Sequence, residues 1–324
     1  MKNALVLGGS GFVGAHVCEK LIRAGWTVTV PTRRRRNASA IQHLPSLNVR
    51  ECDVHDAAAL TKLAQGHDAV VNLVAILHGT QADFERVHVE LPQKIAQACA
   101  AAGVGRLVHI SALGADAQKA DSLPSMYLRS KSRGEAALLA HAEERALTIL
   151  RPSVIFGPGD KFLNLFAGLQ KLAPCVPLAG ADARFQPVWV EDVATAVVRS
   201  LERGSVGARV LEACGPDAFT LKQLVQLSAR LAGVNQGQGR PVFGIPGWAG
   251  ALQAGLMELM PGPPLMSRDN LASMQVANVA TPGMSDLSEL DIQPAALEPI
   301  AADYLSSGSA WHALLGVRRR SHRH

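Results

Sequence analysis

Length, composition and charge place the chain among folded globular proteins. It has 324 residues, of which 48% are hydrophobic and 18% charged, and its formal net charge is +5. This balance excludes an intrinsically disordered chain. The five cysteines are widely spaced and form no CxxC pair, which argues against a disulfide framework and against a metal site.

The sequence predicts neither a secretory signal nor a membrane-spanning helix. No secretory signal precedes the first apolar run, and no stretch of about 20 residues is free of the charges and turn-forming residues that a spanning helix excludes. We therefore expect a cytoplasmic protein. The apolar segment from Val242 to Met260, interrupted by Pro246 and Glu258, is compatible with peripheral contact with the inner face of a membrane.

Short apolar runs alternate with helical patterns through the first half of the chain. The runs predict strands at Ala4–Leu7, Thr27–Val30, Val49–Asp53, Ala69–Leu73, Arg106–Ser111 and Thr148–Ile155. Helical patterns lie between them, in the stretch from Val13 to Gly25 and at Ala57–Gln65, Glu90–Ala102 and Tyr127–Arg145. This alternation predicts an α/β protein with a doubly wound parallel sheet of the Rossmann type.

The alternation ends after Gly157, where prolines and glycines become common and the helix Leu221–Leu231 has no strand partner. The run Ala208–Cys214 is expected to return to the sheet. We therefore predict a smaller, mixed C-terminal substrate lobe. The predicted boundaries are a dinucleotide-binding domain over 1–157 with 186–215 returning to it, a substrate lobe over 158–185 and 216–310, and a basic tail over 311–324.

A glycine pattern follows the first strand and opens the first helix. Gly8 permits a tight turn, Gly11 lets the backbone approach a pyrophosphate, and Gly14 lets the helix pack closely on the strand. The pyrophosphate would then lie at the positive end of the helix. The predicted cradle is Gly8, Gly9, Ser10, Gly11, Phe12, Val13 and Gly14.

The end of the second strand bears on the choice of cofactor. A site for NAD(H) usually has an acidic residue there, which binds the ribose 2′-hydroxyl. This chain has Arg33–Arg36 and no carboxylate in that run. Since Arg33 or Arg34 would form charge-assisted bonds with a 2′-phosphate, we predict NADP(H) in preference to NAD(H).

Two further strand ends fit a nucleotide. Asp53 and Val54 follow the third strand, where Asp53 is placed to accept from the adenine amino group or to act as a turn or helix N-cap residue. Leu73, Val74 and Ala75 follow the fourth strand, where small side chains let the backbone lie along the cofactor.

Candidate catalytic residues follow the fifth strand. Tyr127 and Lys131 form a Y-x-x-x-K pair on one face of a predicted helix. An ammonium near the phenol, together with the positive charge of the nicotinamide, is expected to lower the phenol pKa and make it a usable base. Ser111 ends the fifth strand at the same edge of the sheet, where its hydroxyl would hold a carbonyl or an alcohol.

Together these residues resemble the extended short-chain dehydrogenase/reductases, the epimerase and dehydratase group. The runs Ser111–Ala115, Tyr127–Glu135, Arg151–Pro158 and Phe185–Ala194 are most similar to an atypical subgroup. That subgroup includes the Rossmann-fold accessory subunit of respiratory complex I and its bacterial relatives. The resemblance implies a two-lobed NADP(H)-binding protein, with Tyr127, Lys131 and Pro152 near the nucleotide.

Two features depart from ordinary members of that group. The interval between Ser111 and Tyr127 is short, and His88 stands where those enzymes usually have an asparagine that supports the tyrosine–lysine relay. A histidine here is either a structural residue at the helix entry, which we favour, or part of a proton relay.

Two hypotheses about function follow. The first is an NADP-dependent oxidoreductase that uses Ser111, Tyr127 and Lys131 on a hydrophobic carbonyl or quinone-like substrate, because the second lobe is apolar through Val242–Met260, Leu265 and Met266. The second is a non-catalytic NADPH-binding accessory or sensing subunit of a respiratory complex I-type assembly, whose partners would lie in such a complex or at a membrane surface. Nucleic acid is not an expected partner, since no groove-reading motif accompanies the arginine runs.

Overall fold

A computed structural model describes residues 2–203, 206–259, 262, 264 and 266–306. The strands are β1 (Lys2–Leu7), β2 (Trp26–Thr32), β3 (Leu47–Glu51), β4 (Ala69–Asn72), β5 (Arg106–Ile110), β6 (Ala146–Pro152), β7 (Ile155–Phe156), β8 (Val176–Ala179), β9 (Arg184–Phe185), β10 (Val188–Trp189), β11 (Gly207–Ala213), β12 (Phe219–Thr220) and β13 (Val242–Ile245). The α-helices are α1 (Phe12–Arg23), α2 (Ala57–Ala64), α3 (Gln81–Glu85), α4 (Leu91–Ala102), α5 (Met126–Leu139), α6 (Leu163–Leu172), α7 (Val190–Arg203), α8 (Leu221–Leu231), α9 (Gly247–Glu258), α10 (Arg268–Ser273) and α11 (Leu297–Leu305).

The central sheet confirms the predicted doubly wound arrangement. Its seven strands run in the order β11-β6-β5-β4-β1-β2-β3, and every neighbouring pair is parallel. One face is covered by α1 and α7, and the other by α2, α4 and α5. The expected return of the chain to the sheet is confirmed as β11, which pairs with β6 along its whole length. The predicted boundaries between the two lobes stay predictions.

Two predicted elements were too long. The sixth strand ends at Pro152, because the side chain of Asn278 accepts bonds from the Ser153 hydroxyl and the Val154 N–H and draws the chain out of the sheet. Helix α5 ends at Leu139 instead of continuing to Arg145. The guanidinium of Arg145 donates to the carbonyl of Ala96 at 2.9 Å, and the chain leaves the helix to bring this side chain inside.

The second lobe has its own apolar core, formed by α6, α8, α11 and the parallel pair β8–β13. Its last helix is fixed by Tyr304, whose hydroxyl donates to the buried carboxylate of Asp160 at 2.5 Å. Asp160 in turn accepts from the Leu163 N–H at the start of α6. The hydrogen bond from Tyr304 to Asp160 therefore joins α11 to the start of α6.

The apolar segment from Val242 onward folds as β13 and α9, and Met260 and Leu265 lie outside the described residues. The predicted basic tail over 311–324 lies outside them as well. Within the part of the chain that is described, none of the helices is long and apolar enough to cross a bilayer.

Candidate functional site

The glycine loop connects β1 to α1 and has no room for side chains. A Cβ added to Gly14 would lie 2.2 Å from the carbonyl oxygen of Gly8, and one added to Gly9 would lie 2.7 Å from the side chain of Val30. Gly8 itself has φ +82°, a conformation that glycine adopts without strain. No side chain caps Gly11 at the start of α1, so the first N–H groups of the helix are available to an anion. This backbone fits a pyrophosphate, and its assignment to a nucleotide stays a prediction.

The arginine run lies at the neighbouring corner of the sheet. The side chains of Arg33 and Arg34 are exposed, and neither has an ion-pair partner within the described ranges. Glu51, at the end of β3, accepts from the Arg35 N–H at 2.6 Å. Sequence reasoning placed no carboxylate here, because Glu51 reaches the corner through strand pairing with β2.

The ends of β3 and β4 place the remaining predicted nucleotide residues. Asp53 is exposed and its carboxylate accepts from the His55 N–H at 3.0 Å, which is a turn interaction, while the N-cap of α2 is Asp56. The Leu73 N–H donates to the carbonyl of Leu7 at 2.9 Å, which holds the start of the Leu73–Ala75 segment against the glycine loop.

Ser111 and Lys131 come together at the end of β5, whereas the ring of Tyr127 packs against Phe84 and His88. The Ser111 hydroxyl is buried and has no hydrogen-bond partner among the residues the structure describes. Lys131 is buried on α5 and its ammonium donates to the carbonyl of Ile110 at 2.7 Å. Tyr127 lies one turn before it on the same helix, half-buried.

Burial sets the charge states of these groups. It lowers the pKa of Lys131 to about 8 and raises the pKa of Tyr127 to about 12. The expectation that Lys131 lowers the phenol pKa is therefore wrong for the side chains by themselves, since the pKa of Tyr127 is raised by burial. At neutral pH the phenol is protonated, which suits a proton donor.

His88 occupies a π-helical turn, Arg86–Glu90, between α3 and α4. Its Nε2 accepts from the Ile76 N–H at 3.1 Å. Its Nδ1 lies 2.9 Å from the Ser130 hydroxyl, which donates to the carbonyl of Tyr127 at 2.9 Å. Nδ1 therefore carries the proton, and burial with the charge of Lys131 lowers the pKa of His88 to about 2. This neutral bridge supports a structural role for His88 in holding α5.

A second buried histidine lies under the site. His109 Nδ1 is 3.0 Å from the amide nitrogen of Asn72, whose oxygen accepts from the Val74 N–H at 3.2 Å. The Nε2 of His109 is buried and lacks a partner in the described chain. Burial, followed by the charge of Lys131, lowers the pKa of His109 well below its ordinary value.

Sequence reasoning missed Asp269 on α10. Its two carboxylate oxygens accept from the Met126 N–H at 2.6 Å and the Tyr127 N–H at 3.1 Å. A carboxylate at the positive end of a helix stabilises that end. The second lobe thereby holds the first turn of the helix that carries Tyr127, from 142 residues away in sequence, a distance at which no local pattern signals the contact.

A cavity of about 930 Å³ lies on the second lobe next to this cap. Arg268 contributes a cation to its lining. The small and apolar residues of the lining include Ala179, Ala183, Ile245, Ala251, Leu271 and Met274. Arg268 precedes Asp269 in sequence, so the wall of the cavity and the cap of α5 share one helix.

Comparison with known proteins agrees with this geometry. Residues 4–213 match the model of the NAD dependent epimerase/dehydratase family. The chain belongs to this family. The family match covers every strand of the central sheet, and it confirms the resemblance to the extended short-chain dehydrogenase/reductases.

Two individual relatives illustrate the similarity. Subunit 9 of the mitochondrial NADH dehydrogenase (ubiquinone) 1 alpha subcomplex of Mus musculus is 32% identical over 304 residues, which cover 91% of this chain and 77% of that protein. A ceramide reductase of Caulobacter vibrioides is 31% identical over 230 residues, 70% of each chain. Among solved structures, MoeE5 in complex with UDP-glucuronic acid and NAD has a TM-score of 0.70 at 21% identity, covering 98% of this chain and 99% of that one. This last similarity concerns the fold alone.

Proposed function

We propose that this protein binds NADP(H) and reduces a hydrophobic carbonyl compound with Ser111, Tyr127 and Lys131. The observation that carries the proposal is the buried hydroxyl of Ser111, which has no partner among the described residues and lies at the sheet edge shared by the glycine loop and α5. A buried hydroxyl without a partner costs free energy, and a substrate oxygen would supply the missing bond.

Each of the three side chains has its own role in the proposed reduction. Bound NADP(H) supplies the hydride for the carbonyl carbon. The Ser111 hydroxyl donates a hydrogen bond to the carbonyl oxygen, and the Tyr127 phenol delivers the proton that this oxygen needs. A phenol whose pKa is about 12 enters the reaction protonated, which favours reduction over alcohol oxidation at neutral pH. In this proposal Lys131 holds the ribose and keeps the region positive.

The second lobe favours an apolar substrate. Most residues that line its cavity are small or apolar, with Asp182, Arg268 and Gln275 as the polar ones, and this lining suits acyl chains or a quinone-like ring with a polar end. The similarity to the ceramide reductase of Caulobacter vibrioides supports a lipid carbonyl as the first class of compound to test.

A second candidate is a non-catalytic subunit that keeps NADPH as a structural or sensing ligand in a respiratory assembly. The similarity to the mouse NADH dehydrogenase subunit, over 91% of this chain, supports it. His88 agrees with it, because its two ring nitrogens are engaged by the Ile76 N–H and the Ser130 hydroxyl, which suits a structural role.

The deciding experiment measures binding and turnover separately. Fluorescence titration with NADPH and NADH is expected to show tighter binding of NADPH, and NADPH absorbance is followed with lipid ketones, quinones and simple carbonyls. We expect Tyr127→Phe and Ser111→Ala to lower turnover by about 10²- to 10⁴-fold with little change in NADPH affinity. Ser122→Ala, an exposed serine of the same connection, is the control.

Tight NADPH binding with no oxidation by any compound would favour the accessory subunit. Equal loss of turnover in the Ser122→Ala control would remove the support for Ser111. Tighter binding of NADH than of NADPH would defeat the cofactor assignment and leave the reductase assignment open to test.

A further inference from the structure

Helix α9 presents large apolar side chains to solvent. Trp248, Leu252, Leu256 and Leu259 are 75%, 60%, 60% and 83% exposed. Their spacing of about four residues places them along one side of the helix. We refer to these four side chains as the α9 face.

The opposite side of the helix packs inward through small residues. Gly250 and Ala254 are buried, and a Cβ on Gly250 would lie 2.7 Å from that of Ala179. A surface helix normally turns its apolar side to the core and its polar side to water. In α9 the small residues face the core and the large apolar residues face solvent. This arrangement indicates a surface that binds a partner or a membrane.

We propose that the α9 face docks on an anionic lipid bilayer, with α9 lying in the plane of the interface. Trp248 at one end is the residue type that prefers the boundary between acyl chains and headgroups. Docking does not require turnover and is independent of the proposed reductase function.

Charge complementarity selects the bilayer over other occupants. The sequence ends in a basic run, Arg318–Arg320 and Arg323, and the chain has a net charge of +5. The last described helix, α11, packs in the same lobe core as α8, so the basic run follows from the lobe that carries α9. An apolar face together with a basic segment supplies the two signals that peripheral binding to anionic membranes uses.

A second copy of the chain is a weaker fit. Stable protein interfaces bury roughly 800 Å² on each partner, and four side chains of one helix fall short of this. A lipid surface has no such requirement.

The position of the face gives docking a consequence for ligands. Gly247 and Ala251 of α9 line the cavity beside the α5 cap. A bilayer on the α9 face would therefore lie next to the cavity, so that an apolar compound reaches it from lipid without crossing water.

Vesicle co-sedimentation of the full-length protein tests the proposal. The vesicles are phosphatidylcholine alone or mixed with phosphatidylglycerol. We expect the wild type to bind the mixed vesicles. The variant with Leu252→Glu and Leu256→Glu should bind at least about tenfold more weakly, because two side chains that would insert into the bilayer become charged. Val206→Glu is the matched control, because Val206 is 73% exposed and immediately precedes β11 at the far edge of the sheet.

The basic run is tested by Arg318→Gln, Arg319→Gln and Arg320→Gln together, which should lower the preference for phosphatidylglycerol by about tenfold or more. NADPH affinity and the melting temperature of each variant verify folding. Wild-type protein that stays in the supernatant with both vesicles overturns the proposal, as does equal binding of the two glutamate variants. Self-association that is lost in the Leu252→Glu, Leu256→Glu variant, without vesicle binding by the wild type, overturns it in favour of a second copy.

Discussion

The glycine loop and the polar cluster of His88, His109 and Lys131 lie at the same edge of the sheet. Different kinds of contact hold them in place. The loop is fixed by backbone contacts that leave no space for a Cβ at Gly14. The cluster is fixed by buried side chains, chiefly His88, His109 and Lys131, whose shape depends on which of them carries a proton. We therefore expect the first arrangement to be sensitive to added side-chain atoms and the second to be sensitive to pH.

The largest expected effect tests the loop. In Gly14→Ala the new methyl group would lie 2.2 Å from the Gly8 oxygen, so the loop must move. We expect a fall in the free energy of unfolding of about 3 kcal/mol and NADPH binding about 100-fold weaker, because several N–H donors are displaced together. Calorimetry and fluorescence titration measure the two effects.

The matched control is Gly168→Ala on α6, where an added Cβ meets nothing within 4 Å. Binding should be unchanged there, and stability should rise by up to about 1 kcal/mol from the higher helix propensity of alanine. If both alanine variants bind NADPH normally, the loop is not the nucleotide cradle.

The next effect tests the cluster with acid. A histidine in the unfolded chain titrates near 6.5, whereas the folded pKa of His88 is about 2 and that of His109 is also lowered. Below pH 6.5 the unfolded chain therefore binds more protons, and stability falls as the pH falls. The unfolded histidine is half protonated at pH 6.5 and mostly protonated at pH 5.5, so each buried histidine should cost about 1 kcal/mol over this interval and the pair about 2 kcal/mol.

Denaturant unfolding at several pH values measures this slope. His88→Asn should remove about half of it, while His43→Asn, at an exposed histidine, should leave it as in the wild type. A slope that stays the same in His88→Asn would mean that His88 is not a buried neutral group.

The smallest effect concerns the arginine corner next to the loop. Replacing Arg33 and Arg34 with glutamine should weaken NADPH binding by about 10- to 100-fold, as expected for lost charge-assisted bonds to a phosphate, and should leave NADH binding unchanged. Arg36→Gln, in the same run, serves as the control. Equal weakening for both nucleotides would show that the arginines act on general charge and read no 2′-phosphate.

The same contrast explains what could be predicted from sequence. Periodicity predicted the strands and helices of the parallel sheet, and the glycine spacing predicted the loop, because both depend on residues close together in the chain. The Asp269 cap and the Asn72–His109 pair could not be predicted, since each joins residues separated by a strand, a helix or a whole lobe. The predicted end of β6 was wrong for the same reason, since Asn278, distant in sequence, binds Ser153 and Val154.

The Asp269 cap restricts how this protein could acquire a new ligand preference. Residues on α10 line the cavity, and one residue of the same short helix holds the N–H groups of Met126 and Tyr127. Any exchange of α10 that reshapes the cavity therefore also changes the support of Tyr127, unless the carboxylate at position 269 is kept. Transplanting this lobe from a relative would succeed only with that single acidic residue retained in place.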